Sequence, residues 1–229
     1  MKTCIVVLCK GIESSQWMSY AKSFLEDRFS EENVEYLFLD TTPLQENRVH
    51  PAWYKLLVHK HTNYKYDYII CWDLDILPTR KNSIQTVLSD IDPEKFYLCV
   101  DTDLVSKNIN SSSFIENDAC SNFRWNTGLM GIPKKYSENF EIIHENNSYS
   151  TRNSWEQYYV NDYLYNKLSL LKEGDWNNNV IIGCLGGWTV PNPFDEFKNA
   201  INIHYSIFPP NHIFRTEKIK LHIDSFNAQ

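Results

Sequence analysis

Two aspartates, Asp73 and Asp75, interrupt the run YDYIICWDLDILP (Tyr66 to Pro78), with isoleucine, tryptophan and leucine on both sides of them. An unpaired carboxylate in apolar surroundings is costly, and it either takes up a proton or finds a cation. Two carboxylates spaced i, i+2 at a strand end can turn toward one ion. Oxygen ligands suit Mn2+ or Mg2+, which bind through one or two carboxylates plus phosphate oxygens. Such an ion would compensate both acids and act as a Lewis acid on a departing diphosphate. A second pair, Asp101 and Asp103, enters Leu104, Val105 and a polar loop, and reads as a solvated turn.

The elements that must position the first pair alternate along the chain. Thr3 to Cys9 is a nearly continuous apolar run, consistent with a strand buried on both faces. Ser14 or Ser15 can cap a helix in which Trp17, Tyr20, Ala21, Phe24, Leu25 and Arg28 follow helical spacing. Val34 to Leu39 is a second strand, ending at Asp40. His50-Pro51-Ala52-Trp53-Tyr54-Lys55-Leu56-Leu57 begins another helix, with proline in its first turn. Tyr68 to Trp72 is the third strand and stops at Asp73. This alternation argues for an α/β fold with right-handed crossovers and a mostly parallel sheet flanked by helices. Ligands of such sheets collect at the carboxyl ends of the strands, where Lys10, Asp40, Asp73 and Asp75 fall.

The second half reads as a smaller mixed part. Phe96 to Val100 is a strand, Asn108 to Ser113 a loop, and Asn126 to Pro133 a turn entering a strand. Ser154 to Leu171 is a helix, and the stretch from Gly183 to Pro210 mixes short strands and loops. With no repeat, linker or low-complexity tract, we read residues 1–229 as one domain, with a nucleotide-binding half to about residue 100 and a sugar and acceptor half after it.

The net charge of −7 argues against a nucleic-acid partner, because a phosphate-backbone binder needs a basic face. The six cysteines are scattered without a CxxC pair, and Cys4, Cys9, Cys71 and Cys99 lie in apolar runs, which favours a reducing compartment. The apolar run at the N-terminus is too short for a signal peptide or a membrane segment. The expectation is a soluble, cytoplasmic protein.

The segments HPAWYKL and YDYIICWDLDILPTRKN, followed in order by Asn126-Thr127-Gly128, Glu156-Gln157 with Asn161, and Ile203-His204-Tyr205, resemble the metal-dependent nucleotide-sugar glycosyltransferases of the GT-A fold. The resemblance spans about residues 3 to 206 and is nearest to glycogenin-like enzymes and galactosyl- and xylosyltransferases. It implies that Asp75 and His204 are metal ligands, with Asp73 beside them and nearer the ribose and sugar of the donor. Lys55 would reach the donor phosphates, with Arg48 as a second candidate. Lys10 and Gly11 would lie beside the nucleotide, and Asp40 would contact base or ribose. Asn126 and Gly128 would line the sugar pocket. Glu156 and Gln157 would meet sugar or acceptor, with Asp162 of the same helix able to serve instead, and Trp188 would be a platform for a sugar ring.

The implied reaction is transfer of a sugar from a nucleotide diphosphate donor, a UDP-sugar favoured, to a hydroxyl of a glycan or protein-linked sugar, with Mn2+ or Mg2+ and with retention of configuration. An inverting enzyme would need a carboxylate base, for which Asp162 or Glu156 are the candidates. The related enzymes often carry a lysine shortly after the late histidine. Here Ser206-Ile207-Phe208-Pro209-Pro210 stands in that place, which passes leaving-group stabilisation to Lys55 or Arg215. Without a membrane anchor, a bacterial or virus-encoded soluble enzyme, or a catalytic domain cut from a larger protein, fits better than the related Golgi enzymes. Two rivals are a nucleotidyltransferase or other phosphoryl-transfer enzyme, which would need a third carboxylate near the pair, and a non-catalytic nucleotide-sugar-binding module.

Overall fold

The computed structural model describes residues 1–9, 15–41, 51–101, 125–147, 156–164, 180–186, 201–205 and 212–229. Among them an eight-stranded sheet forms from β1 (Thr3–Cys9), β2 (Tyr36–Asp40), β3 (Tyr68–Asp73), β4 (Ile76–Pro78), β5 (Phe96–Asp101), β6 (Trp125–Pro133), β7 (Val180–Gly186) and β8 (Asn202–His204). The order is β2-β1-β3-β6-β5-β7-β8-β4. Pairings β1–β2, β1–β3, β5–β7 and β7–β8 are parallel, and β6 inserts antiparallel between β3 and β5. The mostly parallel, helix-flanked sheet read from the alternation is therefore present, with an antiparallel strand at its centre.

Alternate residues of β1 and β3 face two separate cores. Ile5, Val7, Ile70 and Trp72 pack with α1 (Gln16–Glu31), while Cys4, Val6, Ile69 and Cys71 pack with Trp53, Leu56, Phe140 and Ile143. Burial on both faces is why these strands read as unbroken apolar runs. Ser15 does cap α1, but its backbone carbonyl and not its side chain serves the first turn. The four cysteines of these strands and of β5 (Cys4, Cys9, Cys71 and Cys99) are buried free thiols. Burial pushes the Cys4 thiol up to about 11 and that of Cys9 to about 12, so both stay protonated and unreactive.

Three elements differ from the sequence reading. Pro51–Leu57 is a 3₁₀ helix that relaxes into a short α2 (Val58–His61), and Trp53, Tyr54, Lys55 and Leu56 are all buried. Asn126–Gly128 lies within β6 rather than in a turn before it. The register explains the turn-like sequence: Leu98 of β5 pairs with Met130, yet Cys99 pairs with Asn126, so Thr127, Gly128 and Leu129 bulge out of that pairing while Leu129 still pairs with Trp72 of β3. The tail also ends in a helix that the loop-and-strand reading did not include, α6 (His212–Asn227), after α3 (Ser83–Ser89), α4 (Ser137–Asn147) and α5 (Glu156–Asp162). No helix among the described residues is long and apolar enough to cross a membrane.

Gly131 shows how tightly β6 is fitted. A Cβ there would lie 2.6 Å from Tyr68 Cε1 and 2.8 Å from Cζ, and the Tyr68 hydroxyl is fixed by a 2.9 Å bond to the Lys95 carbonyl. Overpacking of this kind costs about 1–3 kcal/mol. Gly131→Ala is expected to lower the urea midpoint accordingly, and an unchanged midpoint would contradict the packing.

The C-terminal helix is pinned to the sheet by His222. Its Nε2 lies 2.8 Å from the Pro78 carbonyl and therefore carries the proton, while Nδ1 accepts from the Tyr205 hydroxyl at 2.9 Å. Burial pulls its pKa down to about 4, against the opposing pull of the Pro78 carbonyl. Between that value and the ordinary value near 6.5, the unfolded chain binds a proton that the folded chain refuses. Stability is thus full above about 6.5 and falls as pH drops toward 4, by on the order of 3 kcal/mol. Burial shifts His59, His61 and His144 in the same direction. Urea melts at pH 7 and pH 5 should show this loss, and His222→Gln should flatten it.

Candidate active site

The site is assembled where β3 leaves the core. Asp73 is the last residue of β3, Leu74 and Asp75 make the turn, and β4 begins at Ile76. The Trp72 indole donates to the Ile76 carbonyl at 2.8 Å, which closes the turn from below. Strand β8 then pairs with β4, placing His204 opposite Ile76, and the Tyr205 N–H donates to the Asp75 carbonyl at 2.8 Å. A histidine distant in sequence is thereby held beside Asp75, with Nε2 3.3 Å from Oδ1.

Asp73, Asp75 and His204 can each turn one ligand atom to a common point, with all three atoms within 4.8 Å of one another. Gly128 keeps that space open. A Cβ on it would lie 2.8 Å from His204 Cε1 and 3.1 Å from Asp73 Oδ2. Two carboxylates and an imidazole in a recess cleared by a missing side chain are a fitting donor set for a divalent cation.

Behind the triad lies a buried charge network. The Lys55 ammonium sits 2.7 Å from Asp73 Oδ1 and 3.1 Å from Glu156 Oε1, and donates to the Thr127 carbonyl at 3.2 Å. The Thr127 hydroxyl donates to Glu156 Oε1 at 2.8 Å, and its N–H donates to Gln157 Oε1 at 3.2 Å. Asn126 turns back to accept the Gly128 N–H at 2.7 Å. The bulge in β6 is what presents Thr127 to α5 and Gly128 to the triad.

Electrostatics separates the three acids. Burial raises the Asp73 pKa and the neighbouring Asp75 charge adds to it, so that Lys55 only partly offsets the rise. Asp75 is buried too, yet His204 and Arg215 outweigh burial and hold it well below the usual carboxylate range. Glu156 is lowered too, because Lys55 and the Thr127 hydroxyl outweigh its burial. His204 is raised, Asp75 overcoming the burial that opposes its charge. Lys55 is likewise raised, against burial, by Asp73 and Glu156.

The structure thus brings together Asp73, Asp75, His204, Lys55, Asn126, Gly128, Glu156 and Gln157. Asp40 ends β2 at the exposed sheet edge, and Asp162 lies half-buried on α5; neither joins the triad. Lys10, Gly11, Arg48 and Trp188 lie outside the described residues, as does Asp103. Sequence reasoning passed over Thr127, whose signal was its place between the two residues it singled out. Trp17, which stacks under Arg215, was read only as a helix-face residue.

No protein-family model matches the chain, and no curated protein matches it in sequence. Its likeness lies in the fold. A glycosyltransferase involved in the glycosylation of the major capsid of PBCV-1 superposes with a TM-score of 0.64 at 14% identity, over 95% of this chain and 99% of that one. The galactosyltransferase LgtC, in complex with donor and acceptor sugar analogs, gives 0.52 at 14% identity, over 97% and 96%. Mouse xyloside xylosyltransferase 1 gives 0.51 at 9% identity, over 92% and 99%. The chain therefore has the GT-A fold of these glycosyltransferases.

Proposed function

We propose that the protein is a glycosyltransferase that moves a sugar from a nucleotide diphosphate donor, with a UDP-sugar favoured, to a hydroxyl of a glycan or protein-linked sugar. The observation that carries this is the convergence of Asp73, Asp75 and His204 at the carboxyl end of β3, in a fold shared with glycosyltransferases. Asp75 and His204 would hold a divalent ion, Mn2+ or Mg2+, with Asp73 beside them. When bound, the ion supplies Lewis-acid stabilisation of the departing diphosphate.

The protein's own groups then divide the remaining work. Lys55, with its ammonium already committed to Asp73, Glu156 and Thr127, positions the two acids. Glu156 Oε2 is buried and has no hydrogen-bond partner among the described residues, and a donor hydroxyl would satisfy it. Gly128 lets the sugar approach the backbone, and Gln157 and Asn126 border that approach. Asp162 remains the reserve acid, and Lys10, Gly11, Asp40, Arg48 and Trp188 keep the donor-side roles implied by the resemblance. Retention of configuration is the favoured outcome. Glu156 is ionised but locked by a lysine, which makes it a poor base for deprotonating an acceptor.

A phosphoryl-transfer enzyme would need a third free carboxylate beside the pair. Among the described residues the third acid within reach, Glu156, is neutralised by Lys55, which makes this reading the weaker one. The test is a panel of nucleotide sugars with Mn2+ or Mg2+, following release of nucleoside diphosphate with and without sugar acceptors. Release of nucleoside diphosphate supports transfer, release of pyrophosphate supports the rival, and neither with any donor sinks the proposal.

A further inference from the structure

We propose that His222 of α6 is a positioning residue for the Asp75–His204 pair: by bridging β4 and β8 it sets the separation of the two side chains that would hold the metal ion. This deepens the glycosyltransferase reading and rests on it.

The strands that carry the pair are too slight to fix it alone. Strand β4 sets Ile76, Leu77 and Pro78 opposite His204, Ile203 and Asn202 of β8, and neither strand runs further. Pro78 has no N–H to give to that ladder. Strand β4 ends the sheet, with β8 as its neighbour in the sheet. Among the described residues β7 reaches β8 at Asn202 and Ile203, one residue short of His204. Asp75 lies in the turn before β4, outside the ladder. Two backbone bonds frame the ladder, from the Tyr205 N–H to the Asp75 carbonyl at 2.8 Å and from the Thr79 N–H to the Ile201 carbonyl at 3.0 Å. Paired strands this short are marginal without further packing.

His222 supplies the missing restraint. Its Nδ1 accepts from the Tyr205 hydroxyl at 2.9 Å, and its Nε2 donates to the Pro78 carbonyl at 2.8 Å. Tyr205 directly follows His204, and Pro78 closes the strand that Asp75 leads into. The spacing of the two ring nitrogens is fixed, so a slide of β8 along β4 or away from it breaks one of the two bonds. Tyr205 is 3% exposed and His222 2%, which leaves no water to replace a broken bond. The ring is itself held edge-on by Tyr205 at 5.6 Å and by Phe24 of α1 at 6.1 Å. A pin for α6 alone needs one of the two bonds; the second ties β8 to β4, one residue from His204.

The test compares three variants. Tyr205→Phe removes the hydroxyl, His222→Phe removes both bonds, and Phe226→Leu loosens α6 on α1 while leaving the bridge intact. Urea melts place them on one stability scale and identify any that does not fold. Amide hydrogen exchange reads the Tyr205 N–H, whose partner is the Asp75 carbonyl. Calorimetry reads Mn2+ binding in the presence of UDP, with GDP and ADP if UDP does not bind. In Tyr205→Phe the Tyr205 amide should exchange several-fold faster and Mn2+ affinity should fall several-fold, the size of one lost buried hydrogen bond. His222→Phe should lower the affinity at least about tenfold, as loss of the groups that orient metal ligands does. Phe226→Leu should lose stability yet keep the metal affinity and the protection of the Tyr205 amide. Wild-type exchange and affinity in Tyr205→Phe, or an equal fall of affinity in Phe226→Leu at equal loss of stability, overturn the role of His222. If wild type binds no nucleoside diphosphate with any metal, the underlying functional reading fails instead, and the exchange of the Tyr205 amide alone then decides whether His222 holds β8 to β4.

Discussion

Asp75→Asn is expected to lower metal-dependent donor turnover by at least about a hundredfold, since Lewis-acid stabilisation is worth several kcal/mol and each 1.36 kcal/mol is tenfold. Asparagine keeps the shape and removes the charge, so the change is electrostatic. Asp75 is the acid best suited to a cation. It stays ionised although 14% of its side chain is all that remains exposed, because His204 and Arg215 stand against it. Once it is neutral, His204 can shed its proton but Arg215 cannot, and the ion-binding point loses half of its carboxylate charge. Thermal melts provide a second readout. Wild type should gain stability from Mn2+ with nucleoside diphosphate, as any ligand specific for the folded state provides, and Asp75→Asn should gain little. Full turnover in the variant would remove Asp75 from the metal site.

Lys55→Met is expected to cost about 3–5 kcal/mol of folding stability, the usual penalty for breaking a buried ion pair from one side. The ammonium is 5% exposed and lies between Asp73 and Glu156, whose side chains are 26% and 2% exposed. Methionine fills the space but leaves two carboxylates facing each other in a low dielectric. Both acids would then bind protons more readily folded than unfolded, so stability would fall as pH rises. The destabilisation should therefore be larger at pH 8 than at pH 5. The double variant Lys55→Met/Glu156→Gln should recover part of the loss, because one of the stranded charges is gone. Urea melts of the single and double variants measure both effects, and a pH-independent loss would mean that packing rather than charge dominates.

These two residues show how unevenly the site is written in the sequence. Asp73 and Asp75 stand out because apolar residues flank them on both sides, and that pattern reflects strand β3 running between two cores. Lys55 does not stand out. On a helix it reads as a solvated cation, and only the 3₁₀ segment that carries it, buried from Trp53 to Leu56, forces the ammonium inward to Asp73 and Glu156. Asn126-Thr127-Gly128 was visible as a motif but misread as a turn, because a register jump between paired strands has no local signature in either strand.

The sequence by itself determined the parallel β1, β2 and β3 framework and the acids at its carboxyl end, since each rests on periodicity or spacing within a few residues, whereas His204 was marked only by the resemblance to a known family. Tertiary structure alone decided that β6 enters antiparallel beside β3, that β8 pairs with β4 to hold His204 at Asp75, and that α6 packs on α1, with Phe226 edge-on to Phe24 at 5.1 Å, and so delivers Arg215. Those are contacts between residues far apart in the chain. Their energy comes from surfaces that exist only once both partners are folded, and no local pattern encodes which surfaces will meet.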